Sequence, residues 1–207
     1  MNPVGPTTTA RSDAPRPLAR WALAPALVAP VAMIGGWTVA AALEPGFDAA
    51  SGTISALATH QVDQPWVMTL GLAATGVAHL GTATALRSVG RVGRTLLALG
   101  GAATVAVAAL PVDTSPRPHA IAAGVAFAAL TLWPLGASGP RPRGAERDLP
   151  LVRPGTRVVA ATGMAILLGW FVAELQAGGA SIGLAERALA GAQSLWPLAV
   201  VLGLRRR

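Results

Sequence analysis

Ser51, Ser55, Asp113 and His119 are the residues of this 207-residue sequence whose types would permit nucleophilic chemistry. A carboxylate that orients an imidazole makes it a base able to activate a serine hydroxyl. Asp113 and His119 are separated by the Pro-containing stretch PVDTSPRPHA, so they need not share a helix face. If they meet, Ser55 or Ser51 supplies the nucleophile, and the reaction is acyl or ester hydrolysis. No Gly-x-Ser-x-Gly elbow accompanies them. Asp113 is equally suited to capping a turn or a helix start. Asp113, His119 and Ser55 therefore stand as catalytic candidates, with Asp113 expected to orient His119.

Other chemistries have less to draw on. Cysteine and tyrosine are absent, which removes disulfides, thiolate nucleophiles and phenolic acids or bases. His60, His119 and some of Asp48, Asp113, Glu174 and Glu186 would have to converge to hold a metal. Neither HxxxH nor another His-ligand spacing is present, so no metal site and no cofactor are expected. His79 lies within an apolar run, where an ionisable group is a functional candidate by default. The commoner arrangement is a neutral ring hydrogen-bonded to a neighbouring helix. The set that a bound ligand would use is Asp48, Ser51, Ser55, Asp113, Arg117, His119, Glu186 and Arg187.

Those residues need elements to position them, and composition says what the elements are. The chain is 53% hydrophobic and 12% charged, too apolar for an ordinary soluble domain. Its net charge of +7 is not spread on an aromatic-interleaved stripe, so no nucleic-acid partner is expected. Six apolar segments are long enough to cross a bilayer: about 20–43, 66–86, 94–112, 118–138, 156–175 and 183–204. They are rich in Ala and Gly, with small residues such as Gly71 and Gly76 placed for close helix approach. The expected fold is an all-α membrane protein, a compact bundle of six transmembrane helices forming one domain over 18–207. Residues 1–17 read as a disordered cytoplasmic tail, and 139–155 as a solvated cytoplasmic linker.

All 16 basic residues are Arg, and 14 of them fall at the N-terminus, at the C-terminus and in alternate connections. The other connections hold only Arg117 and Arg187, along with most of the acids. The positive-inside rule then places both termini in the cytoplasm of a plasma-membrane protein. Trp66 and Trp170 suit the outer interface; Trp21, Trp133 and Trp196 suit the inner one. The first outer connection is long and contains no Arg. Within 48–60, Asp48, Ser51, Ser55 and Thr59 recur at spacings of three and four, which predicts a short amphipathic helix. Asp48 is its expected N-cap, after the turn signal EPG. With six acids on that face, Arg187 and Arg117 are expected to pair with carboxylates, Asp113 and Asp48 first.

The segments PGFDAASGTISALA, LPVDTSPRPHAIAAGVAFAAL and GLAERAL together resemble the integral-membrane family catalogued as domain of unknown function 998. The resemblance covers the chain from about residue 20 to its end. It implies a multi-pass fold with these motifs on one membrane face, and it brings no established reaction with it. The functional expectation is a multi-pass bacterial membrane protein with an outer-facing polar pocket that binds a lipid headgroup, a lipid-linked precursor or a small molecule. The alternatives are a membrane-embedded hydrolase or transferase acting on lipid at the outer leaflet, and a structural or accessory subunit. Membrane lipid is the expected partner, and oligomers are compatible with the pattern.

Overall fold

The computed structural model of the chain describes residues 18–137 and 150–205. The expected N-terminal tail and most of the 139–155 linker lie outside the described residues. Six α-helices account for nearly all of the rest: α1 (Leu23–Leu43), α2 (Pro65–Ala85), α3 (Arg91–Ala109), α4 (Pro116–Gly136), α5 (Pro154–Ala177) and α6 (Ile182–Arg205). Each is long and apolar enough to cross a membrane, and no strand occurs among the described residues. This is a multi-pass, all-α membrane protein.

Local chemistry sets the helix ends. Pro65, Pro116 and Pro154 each occupy the first helical position, where the missing N–H has no partner to lose. That starts α2, α4 and α5 one or two residues earlier than hydropathy suggests. Helix α3 begins at Arg91 rather than near 94, directly after Gly90. Helix α5 closes on Gly178 in the left-handed region at φ 60°, a conformation that carries no Cβ penalty in glycine.

Sequential helices pack as antiparallel neighbours from α1 to α4, and α6 returns to lie between α1 and α5. At the α2–α3 crossing, Gly76 and Gly101 face each other so closely that a Cβ on Gly76 would stand 2.5 Å from the Gly101 carbonyl oxygen. Small residues replace the hydrophobic drive that lipid cannot supply. With six crossings, both described chain ends lie at one end of the bundle, here the termini end. The connections 44–64, 110–115 and 178–181 lie at the other, the loop end. An apolar cluster fills the termini end, with Leu86, Leu97, Trp133, Val200 and Val201 almost wholly buried. Trp133 is therefore a core residue and not an interfacial one. Trp21 and Trp66 are exposed, as interfacial rings would be.

The amphipathic helix expected over 48–60 does not form. Residues 49–51 make a turn, and a single 3-10 turn covers Ser55–Ala58. Gly52 and the β-branched Thr53 and Ile54 interrupt the pattern with poor helix formers. More decisively, the carbonyls of Ala49, Ala50 and Gly52 accept hydrogen bonds from α6 instead of from their own segment. The EPG signal does hold. Phe47 N–H donates to the Glu44 carbonyl at 3.2 Å, with Gly46 at φ 78° in the position a type II turn reserves for it.

Candidate functional site

The first connection folds down on the loop end of the bundle, and side chains from three helices hold it there. Glu186, one turn into α6, accepts the backbone N–H of Ile54 and so caps the 3-10 turn from another element. Asp113, between α3 and α4, accepts the backbone N–H of His60 at 3.0 Å and the His60 ring at 3.1 Å. Glu44, at the end of α1, accepts the N–H of Asp63 at 2.9 Å. Asp48 takes the N–H of Ala50 at 3.0 Å and the Ser51 hydroxyl at 2.6 Å. Away from this connection, Glu174 accepts from Ser181 N–H at 3.0 Å. Five acids of the loop end thus cap backbone donors, a charge-assisted bond stronger than a neutral one.

The same bonds set the acidity of the two exposed loop carboxyls. The Ser51 hydroxyl, then the Ala50 N–H, holds Asp48 below its usual value. Partial desolvation pushes Asp113 upward, but the His60 backbone and ring outweigh it and leave the carboxyl below its usual value.

Arg187 does point into the loop end, but it pairs with no carboxylate there. Its Nη1 donates to the carbonyls of Gly52 at 2.7 Å, Ala49 at 2.8 Å and Gly183 at 3.0 Å. Its guanidinium lies 5.6 Å from the centre of the Phe47 ring. The turn at 49–52 reaches α6 because Gly183 has no side chain; a Cβ there would run into the Gly52 and Ala49 carbonyls. Those carbonyls occupy the place where a carboxylate partner was expected. Arg117 is exposed at the start of α4 and joins none of this. His60 Nδ1 lies 3.1 Å from Asp113 Oδ2, a contact that is an ion pair only when the ring is protonated.

The candidate nucleophile and base do meet, without Asp113. His119, buried at the start of α4, places Nδ1 2.7 Å from the Leu110 carbonyl and Nε2 3.0 Å from Ser55 Oγ. A carbonyl only accepts, so Nδ1 carries the proton and the neutral ring leaves Nε2 as acceptor. The Ser55 hydroxyl therefore donates to His119. Having one proton, it leaves the longer 3.4 Å approach to Glu186 Oε1 as a weak contact. The orienting group expected in Asp113 is a backbone carbonyl, which has no sequence signature.

Beneath this cluster is a cavity of about 40 Å³ within the bundle. Ser55 and Glu186 line its loop end, and Thr104, Thr75, Gln193 and His79 line it further in. Most of these groups present acceptors. Thr75 and Thr104 spend their hydroxyl protons on the carbonyls of Gly71 and Gly100, four residues back. Gln193 spends its amide N–H groups on Phe127 and Thr131. His79 is 1% exposed and its Nδ1 has no protein partner, so the neighbouring-helix bond expected of it is not made there. Among the described residues no three His, Asp or Glu side chains converge as metal ligands.

Of the eight expected ligand-binding residues, Ser55, His119 and Glu186 come together. Asp48 and Ser51 bond each other on the surface, Asp113 joins His60, and Arg187 grips backbone. The sequence reading missed Gln193, although a Gln in the middle of an apolar span is itself a signal. The family model described as protein of unknown function (DUF998) matches residues 27–203, and the chain belongs to that family. No curated protein and no solved structure matches it.

Proposed function

We propose that the protein binds a hydrogen-bond donor, the amine or hydroxyl of a lipid headgroup or small polar molecule, beneath the 44–64 connection on the outer face of the plasma membrane. The supporting observation is the set of acceptors that Glu186, Ser55, Thr104, Thr75 and Gln193 place along an otherwise mostly apolar cavity wall, where Glu186 is the one carboxylate and no Arg takes part. Such a lining selects ammonium or hydroxyl groups and disfavours phosphate. At about 40 Å³ the cavity takes a headgroup's terminal group and not the whole headgroup. Larger ligands require the connection to lift. It is held by side-chain hydrogen bonds and by Ile54, Leu57 and Ala58, which are buried among Met68, Leu72 and Val107, so lifting it exposes that apolar surface.

The orientation rests on the Arg distribution. In this Cys-free chain, Gln61→Cys should react with an impermeant thiol reagent on intact cells, and Gly155→Cys should not. The binding test compares nanodiscs of phosphatidylethanolamine and phosphatidylglycerol by native mass spectrometry. Retention of the amine lipid by wild type, weakened in Glu186→Gln, supports the reading. Equal retention of the two lipids sinks it.

One observation favours a second reading, a hydrolase acting on a lipid ester. Ser55 and His119 have the reach of a nucleophile and its base, and Leu110 fixes the tautomer. Ser55 would lose its proton to Nε2 as Oγ attacks the carbonyl, and the alcohol would leave with that proton as its ester bond breaks. Water, giving a proton to Nε2 in turn, would then release the acyl group from Oγ as the free acid. The neighbouring Glu186 carboxylate opposes an oxyanion at this place, which ranks the reading second. Labelling of Ser55 by a fluorophosphonate in wild type, but not in His119→Gln, would reverse the order.

A further inference from the structure

We propose that the cavity is a one-ended water shaft that carries protons from the loop end to His79 and stops there. The proposal stands on the interior of the bundle and does not depend on any lipid ligand. Taking the helix rise, His79 lies about 21 Å from the loop end of α2, well past the bilayer midplane. Measured the same way, Glu186 lies about 6 Å in, Thr104 about 8 Å, Thr75 about 15 Å and Gln193 about 17 Å. Acceptors therefore recur at intervals that water molecules bridge.

Two observations independently call for water. A buried His79 Nδ1 without a partner costs on the order of 1–3 kcal/mol if left so. A water also needs roughly 10–15 Å³ of such space and polar partners; 40 Å³ has room for a short chain of them along the six polar side chains that interrupt an otherwise apolar wall. Those side chains mostly accept and water donates, so the two are complementary there.

The other end is closed. Beyond His79 the bundle is filled by the apolar cluster of Leu86, Leu97, Leu130, Val200 and Val201. The ionisable groups facing the shaft are Glu186 at its mouth and His79 at its end. Arg187 is engaged with the 49–52 turn, and the Arg94 Nε–H is held by the Ala83 carbonyl nearer the termini end. A proton that enters past Glu186 can reach His79; Thr82, three residues further along α2, spends its hydroxyl proton on the Ala78 carbonyl at 2.9 Å, and past it the packing is apolar.

The test uses the full chain in nanodiscs with ring-¹⁵N histidine and ¹³C-labelled Leu and Val. Three histidines give three ring signals, assigned with His60→Gln and His119→Gln. Magnetisation transfer from water is then read at each ring. The His79 ring should build up nearly as fast as that of exposed His60, while the Leu97 and Val201 methyls stay dry. Ala190→Leu, which fills the shaft, should suppress transfer several-fold at His79 and leave His60 unchanged; Ala123→Val serves if the first variant misfolds. A His79 ring as dry as Leu97 in wild type overturns the shaft. Water at Leu97 and Val201 overturns its one-ended character. Loss of lipid binding with His79 still wet would sink only the proposed ligand function.

Discussion

The two ends of this bundle are held by different kinds of bond. At the termini end, apolar side chains from α1, α2, α3, α4 and α6 fill the space, and Trp133 is 0% exposed. Trp133 even leaves its indole N–H without a partner. At the loop end Ile54, Leu57 and Ala58 are also buried, but carboxylates and a guanidinium grip the backbone of a connection with little regular structure of its own, and an imidazole takes its Ser55 hydroxyl. Packing forces are short-ranged and tolerate no gap, whereas hydrogen bonds at a surface can break one at a time and re-form. The termini end relies on packing, and the loop end adds to its packing a set of bonds that can be exchanged singly.

The contrast can be broken most forcefully at Trp133. Trp133→Ala should cost about 3–5 kcal/mol of global stability, as large aromatic deletions in a core do. Thermal unfolding in detergent should show one cooperative shift of the whole bundle. Should the loop alone loosen, the termini end would not be the part that relies on packing.

Glu186→Ala should cost less, about 1–3 kcal/mol, by orphaning the Ile54 N–H and loosening Ser55. Its signature is local: faster hydrogen exchange at 50–64, with α2 and α3 unchanged. Glu186→Gln keeps an acceptor and should fall between this variant and wild type. Whole-bundle unfolding by Glu186→Ala would erase the distinction between the ends.

The smallest effect is that of acid. Asp48 and Asp113 have pKa values lowered in the folded chain. Their stabilising share is present above the ordinary Asp value of 3.8 and is lost as the pH falls through their lower folded values. The 44–64 connection should therefore stay protected from neutral pH down to that range and exchange faster only below it, while Asp113→Asn, which keeps an acceptor but no charge, should exchange modestly faster near His60 already at neutral pH. Loosening of the wild-type connection well above the ordinary Asp range would show that other groups hold it.

The legibility of the sequence follows the same divide. The six spans were readable because bilayer thickness imposes a length and an apolar composition on each helix. Their starts moved by up to about three residues because Pro at the first helical position and Gly90 set boundaries that hydropathy does not see. Ser55, His119 and Glu186 were legible as residue types. Their grouping was not, because Leu110 and Ile54 contribute only backbone, and every side chain has the same backbone. The amphipathic helix failed for the same reason: α6 claims the carbonyls that 49–52 needed for itself. Periodicity reports which side chains share a face and cannot report a competitor 130 or so residues away.

That separation has a consequence for how the protein is made. The 44–64 connection leaves the ribosome early, while its partner Glu186 stands 132 residues further along the chain than Ile54. At typical synthesis rates the interval is on the order of 10 s. During it the carbonyls of Ala49 and Gly52 have no guanidinium to meet, and the Ile54 N–H has no carboxylate. Glu44, Asp113 and His119 can take their parts of the connection earlier; arrival of α6 adds the Ile54 and 49–52 contacts, so the shaft acquires its mouth only once α6 is made. A product truncated before α6 would insert its earlier spans and leave the 49–54 half of the connection without its partners, a mark by which quality-control proteases can recognise it.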